Sequence, residues 1–304
     1  MKQKRFSLII GALVIAAITL LTASSTARTH ATTNQAESNR DQLMAMMGVI
    51  NAQYEAGGSN IRVESAEYIT SDSSGEIGQI VFFNDRVKQL GDHFVPGDPR
   101  RGGRTNITYT VDQTEGAIDG LTVAQTTAAI DRAMTTWQNV NCSTIPLTRL
   151  PNPVGDIGVI EFLNGLGGSP LIAADIAHTG WLPTGILNPQ ILAVTFTFIF
   201  VSGGFPTDID NNGRLDVAFR EVLYNDAAVW GINANIDVET VALHESGHGL
   251  SQGHFGKAFV TLSNGKLHFS PRAVMNAAYS GIQQSINQTD NGGHCSIWGS
   301  WPNN

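Results

Sequence analysis

Cysteine is scarce in this chain, and so is charge. Two cysteines, Cys142 and Cys295, in 304 residues are too few for a thiolate-built cluster. Apart from the neighbours His294 and Cys295, neither stands beside a histidine motif, so a cysteine metal ligand or nucleophile is the lesser reading. An even pair in an oxidising compartment reads as a disulfide, tying the end of a helix to the C-terminal tail. Charged residues make up only 14% of the chain, and 18 Lys and Arg against 26 Asp and Glu leave a formal net charge of −8. A chain without excess cations has no electrostatic attraction to nucleic acid or anionic lipid, which excludes both as partners. There is no phosphate-binding glycine loop between a strand and a helix, no G-x-S-x-G elbow and no internal repeat. Beyond the N-terminus no run is long and apolar enough to span a bilayer.

The N-terminus does hold such a run. Lys2, Lys4 and Arg5 precede an uncharged, largely apolar stretch from Phe6 to Leu21, and Ser25-Thr26-Ala27 fits the small-x-small pattern of signal peptidase. Residues 1–27 therefore read as a signal peptide, with an uncleaved anchor as the alternative, and the mature protein as secreted. Its removal takes away three cations and no anion, moving the formal net charge from −8 to −11. Low charge and 32 glycines suit an extracellular, loop-rich chain.

Residues 41–57 have helical spacing, with Leu43, Met46, Met47, Ile50 and Tyr54 on one face. IRVESAEYITS and GQIVFFNDRVKQL alternate like strands. GDHFVPGDPRRGGR (91–104) reads as a linker or domain boundary. Its Arg100-Arg101 pair is a candidate processing site. From there NITYTVD, STIPLTRL, DIGVIEFLNG and the very apolar ILAVTFTFIFV read as strands, and 121–140 as an amphipathic helix capped near Thr122. The expected class is α+β with a mixed, twisted sheet. Residues 28–101 form a pro-region or accessory subdomain in this reading, and 102–304 the main domain.

Chemistry concentrates in ALHESGHGLSQGH, residues 242–254, where three of the eight histidines fall. On a helix, His244 and His248 lie one turn apart on one face and can share one cation. Glu245 stands about 100° round the axis, where it reaches a bound water rather than the metal. His254 joins them only if the chain turns back after Leu250, and Gly249, Ser251 and Gly253 make a turn available. Apolar flanks place this helix in the interior, where imidazoles need partners. Three imidazoles leave a fourth tetrahedral position open, the arrangement of a catalytic zinc site rather than a closed structural one. Zinc then lowers the pKa of its water, and Glu245 serves as base.

HESGHGLSQGH resembles the metzincin signature H-E-x-x-H-x-x-G-x-x-H, and Met275 in RAVMNAAY falls where a Met-turn would. ITYTVD, the long helix ending at Trp137, DIGVIEF and IAHTGWLP are similar in order to the matrixin-like catalytic domain, over about residues 104–285. The resemblance implies a zinc cleft between two subdomains, with His244, His248 and His254 as ligands, Glu245 as base and Met275 as the apolar floor. It also implies that LDVAFREVLYND is the edge strand along which an extended substrate lies. The expected function is a secreted, monomeric zinc endopeptidase acting on proteins or peptides. The rival is an inactive exported zinc- and calcium-binding adhesion protein.

The chain departs from the pattern in carrying Ser251 where the motif has glycine. If that position is left-handed, serine costs about 1–2 kcal/mol unless Gly253 takes the turn instead. No cysteine precedes Cys142 to hold a pro-region on the metal, so Asp98 or His93 are candidates for shielding it. Asp208, Asp210, Asn212 and Asp216 alternate around Gly213 like part of a calcium loop, although Phe219 stands where such a loop wants Glu; an Asx-rich turn is the alternative. His178 reads as a hydrogen-bonded core residue, His268 and His294 as surface or packing residues, and Tyr279 as a packing or substrate-side residue.

Overall fold

The computed structural model describes residues 38–71, 76–84, 91–112, 114 and 118–303. The expected signal peptide and residues 28–37 lie outside them. Among the described residues no helix is long and apolar enough to cross a membrane. The class is α+β, built on a mixed ten-stranded sheet.

A helix over 38–56 (α1) leads into the long strand β1 (Ile61–Ser71) and the short strands β2 (Ile80–Phe82) and β3 (Asp92–His93). Then follow β4 (Ile107–Val111), α2 (Val123–Gln138), β5 (Leu147–Arg149), α3 (Val159–Leu163), β6 (Ile176–Leu182) and β7 (Ile191–Ser202). After β8 (Phe205–Pro206) come β9 (Leu215–Asn225), β10 (Trp230–Gly231), β11 (Ile236–Asp237) and the buried helix α4 (Val238–Gly249). A hairpin of β12 (Lys257–Val260) and β13 (Leu267–Ser270), the short β14 (Ala278–Tyr279) and α5 (Gln288–Trp298) complete the chain.

The main sheet runs β14-β1-β7-β9-β6-β4-β5, with β2 paired to β1, β3 to β9 and β8 to β7. β5, β4, β6 and β9 are mutually parallel, and β7 is antiparallel to β9. β1 is antiparallel to β7 and parallel to β14. One face packs α2 and α4 through Ile130, Met134, Trp137, Val241 and Leu243; the other packs Leu43, Met47 and Ile50 of α1 against Phe196, Phe198 and Phe219. Residues Gln42–Asn304 form one compact unit. The boundary expected after residue 101 therefore falls inside it, and β1 is an inner strand of the sheet.

Three local expectations are corrected. LDVAFREVLYND is not an edge strand: β9 lies between β7 and β6 and is buried along its whole length. Its alternating polar residues suggest a half-exposed strand, but each finds an interior partner. Asp216 accepts from Arg100 at 2.8 Å and from Thr207 at 2.6 Å, and Glu221 accepts from the N–H groups of Val159 and Ile160 at 2.7 and 2.9 Å. Those last two bonds explain the second correction. The β-branched stretch DIGVIEFLNG forms helix α3 because a carboxylate from β9 satisfies its first amides. Third, residues 91–104 are no linker. Arg101 is 4% exposed and ion-paired to Asp175 at 3.0 Å, and the half-buried Arg100 pairs with Asp98 and Asp216 at 2.7 and 2.8 Å, so both arginines are tied into the fold.

Candidate metal centre

Asp237 caps α4, its carboxylate accepting from Thr240 N at 2.9 Å. Every residue of the helix is buried. Trp137 of α2 donates its indole N–H to Leu243 O at 2.8 Å, which fixes the helix along its length. At the C-terminal end the chain reverses. Ser251 N–H bonds His248 O at 2.9 Å and Gln252 N–H bonds Gly247 O at 3.0 Å, the paired bonds of a Schellman cap. The left-handed residue is Ser251, at φ 64°; Gly253 has no such conformation. Serine in place of glycine costs about 1–2 kcal/mol, and the hydroxyl gains a partner for it. Arg220 of β9, 1% exposed, donates to Ser251 Oγ at 3.1 Å and to Gly249 O at 2.7 Å, and pairs with Asp92 of β3.

The reversal brings His254 back to the helix. The Nε2 atoms of His244, His248 and His254 lie 3.0 to 3.1 Å from one another. His244 Nδ1 donates to Val274 O and His248 Nδ1 to Gln252 O, each at 2.7 Å. A carbonyl only accepts, so these Nδ1 atoms carry the protons and the facing Nε2 atoms carry lone pairs. With these two rings neutral, the three converging nitrogens form a cup that could hold a metal ion. Tetrahedral zinc with Zn–N of about 2.0–2.1 Å sets its nitrogens about 3.3 Å apart, so the residues fit it.

Glu245, 0% exposed, accepts from Thr195 Oγ1 of β7 at 2.6 Å through Oε2, while Oε1 has no partner. Burial raises its pKa to about 7, against the opposing pull of His248 and Thr195. Burial, with His248 beside it, pushes His244 well below the ordinary range; His254 is lowered in the same way. His248 differs. Burial lowers it, but the Glu67 carboxylate of β1, 2.9 Å from Nδ1, together with Glu245 and the Gln252 carbonyl, raises it to about 8. Gln252 O takes the aligned bond from that nitrogen, and Glu67 Oε2 acts on it through charge.

Met275, fully buried, packs against Gly247 and Trp137: a Cβ at Gly247 would stand 2.2 Å from Met275 Sδ. Asp290 of α5 holds this turn, accepting from Val274 N at 3.1 Å and Met275 N at 3.2 Å. The Cys142–Cys295 disulfide ties α5 to the end of α2. Asp290 thus supports Val274, which orients His244. Its signal lies in Asn287-x-x-Asp290, a capping box. Glu67, Thr195 and Arg220 left no local signal, because only the sheet brings them to the helix.

Other candidates lie elsewhere. Asp98 is bound by Arg100, and His93 packs on Trp298 at 4.5 Å, so neither shields the histidine cup. Asp208, Asp210 and Asp216 offer carboxylate oxygens within 4.8 Å of one another. Asp216 also serves Arg100 and Thr207, and Asp208 accepts from Asn212 N and Gly213 N at 3.0 and 2.9 Å, bonds that close the turn. Asn212 donates its side-chain N–H to Asp210. His178 bonds Tyr224 OH at 2.9 Å in the core, His294 stacks on Trp137, and His268 stacks on Phe259 in the β12–β13 hairpin. Tyr279 OH donates to Asn235 O and accepts from Asp237 N, bracing the start of α4. Compared with known proteins, the chain matches no family model and no curated sequence.

Proposed function

We propose that this chain is a secreted, monomeric zinc-dependent endopeptidase with a metzincin-like fold, acting on extended segments of proteins. The observation that carries the reading is the convergence of three imidazole Nε2 atoms at 3.0 to 3.1 Å beside an interior glutamate with one unpartnered oxygen. The resemblance of HESGHGLSQGH to the metzincin signature supports it, as does the order of strand, long helix, motif helix and methionine turn.

In this reading His244, His248 and His254 hold zinc, which supplies a Lewis acid for the substrate carbonyl and a water of lowered pKa. Glu245 takes the water's proton on its free Oε1 and delivers it to the departing amine. Thr195 fixes the other oxygen, and so the direction in which Oε1 points. The carbonyls of Val274 and Gln252 keep His244 and His248 in the tautomer that ligates.

The test pairs metal analysis with hydrolysis of a fluorogenic peptide library. Wild type should carry one zinc per chain and cleave, and His254→Ala should lose zinc. Glu245→Gln should keep the zinc and lose hydrolysis. Undiminished cleavage by Glu245→Gln would show that the glutamate is not the base.

A further inference from the structure

The face of the sheet turned away from α4 carries a cavity of about 300 Å³ that the reaction above does not use. Phe200 and Ala218 in its wall belong to the core that packs α1, not to the core around the motif helix. The wall combines three arginines, Arg100, Arg101 and Arg104, with the apolar Leu150, Ile172 and Phe200. These arginines are unequally matched. Arg100 gives its donors to Asp98, Asp216 and Thr207, and neither of those acids is part of the wall. Asp175 is the one acid that is, and a single oxygen of it serves both other arginines. Its Oδ1 accepts from Arg101 Nε at 3.0 Å and from Arg104 Nη2 at 2.9 Å, while Oδ2 is taken by the N–H and the hydroxyl of Thr108, each at 2.8 Å. Two guanidiniums on one carboxylate leave one positive charge over. Arg101 is buried and also donates to Val95 O and Asn106 O. Arg104, with its side chain 42% exposed, makes only the bond to Asp175 among the described residues. A guanidinium has five N–H donors, so most of Arg104's are unspent. In the same wall Ile172 is 48% exposed, a branched apolar side chain left open to water.

We infer that this cavity binds a small organic carboxylate with a branched apolar body, the carboxylate pairing with Arg104 and the body covering Ile172, Leu150 and Phe200. The single surplus charge favours a monoanion over a phosphate dianion, and the planar edge of a guanidinium matches a carboxylate through two parallel bonds. Small-molecule pockets run from about 300 to 1,000 Å³, so this one takes a ligand at the small end. A free acid and the C-terminus of a peptide present the same group. The site stands or falls independently of the endopeptidase reading, since it shares no residue with the histidine cup.

The probes are 4-methylpentanoate, a free acid, and N-acetyl-leucine, which ends as a peptide does, each titrated against the full chain by ligand-observed NMR. Their neutral amides are the controls. At least one acid should bind with a dissociation constant of about 1 mM or tighter, a strength within reach of so few atoms. Its amide should bind at least tenfold more weakly, and the tighter of the two acids identifies the source. Arg104→Gln and Ile172→Asp, both at exposed positions, should each weaken the acid at least tenfold. Arg272→Gln, at an exposed arginine outside the cavity, should leave it unchanged. An acid that binds no better than its amide overturns the inference, and that comparison needs no variant to fold. So does binding that survives Arg104→Gln, binding lost equally in Arg272→Gln, or no binding of either acid at ten times the stated concentration.

Discussion

Gly247→Ala makes a sharp test of how the motif helix meets the methionine turn. A Cβ at 247 would stand 2.2 Å from Met275 Sδ, 3.0 Å from Cε and 3.1 Å from Trp137 Cζ2. Carbon and sulfur need well over 3 Å, so Met275 must withdraw by more than an ångström. It has little room, being fully buried with Trp137 against it and its own N–H fixed by Asp290. Overpacking of this kind costs about 1–3 kcal/mol. Because Val274, next in the chain, orients His244 through its carbonyl, zinc affinity should fall together with stability. Met275→Ala alone should cost about 2–5 kcal/mol by leaving a cavity. The added methyl of Gly247→Ala partly refills that cavity, so the double variant should be more stable than the two losses added together. The assay is guanidinium unfolding of all four proteins, with zinc affinity measured by chelator competition. A coupling energy below about 0.5 kcal/mol would refute the contact as the source of the cost.

Asp290→Ala should weaken zinc binding about 10–100-fold with the three ligands intact, as loss of an outer support does; unchanged affinity in the same competition assay would sever α5 from the site. Burial holds His93 and His178 down to about 3 and His294 to about 4, with Arg214, Arg220 and Arg101 adding to the effect at His93. The unfolded chain takes up these protons first, so their contribution to stability is complete above about pH 6.5 and drains as pH falls toward those values. Glu64, Glu221 and Glu245, raised to about 7 by burial, bind protons in the folded chain first over the same range and oppose this loss, while the lowered His244 and His254 of zinc-free protein add to it. With histidines in the majority, guanidinium midpoints of zinc-free protein should drop between about pH 6 and 4, and a rise over that range would contradict the assignment. The disulfide closes a span of 153 residues. On chain-entropy grounds, replacing both cysteines by alanine should cost up to about 5 kcal/mol, readable in the same unfolding assay; a loss under about 1 kcal/mol would show that the bridge adds little.

The motif helix is legible in the sequence because its chemistry is local. The 3.6-residue period puts His244 over His248, and helix α2 announces its start through Thr122 and Gln125, which form a capping box. The turn after Leu250 is legible as a turn, but not which residue is left-handed; Arg220, from a strand some thirty positions earlier, sets Ser251 in that place. β9 misleads because inward polar residues with distant partners mimic a solvent-facing pattern. Nothing local marks β1 as the neighbour of the cup either. Glu67 meets His248 only through the ladder to β7, and strand pairing over 120 positions leaves no trace in either segment's own pattern.

The Asp92–Arg220–Ser251 line has a consequence for any shortening of the protein. A fragment starting past Arg101 would keep all three imidazoles, yet it would strand a guanidinium in the interior without its counter-ion. Removing one member of a buried pair commonly costs about 3–5 kcal/mol, and the hinge carrying His254 would absorb the damage first. Maturation by trimming would therefore have to stop ahead of Asp92, or else leave the excised piece clasped in place.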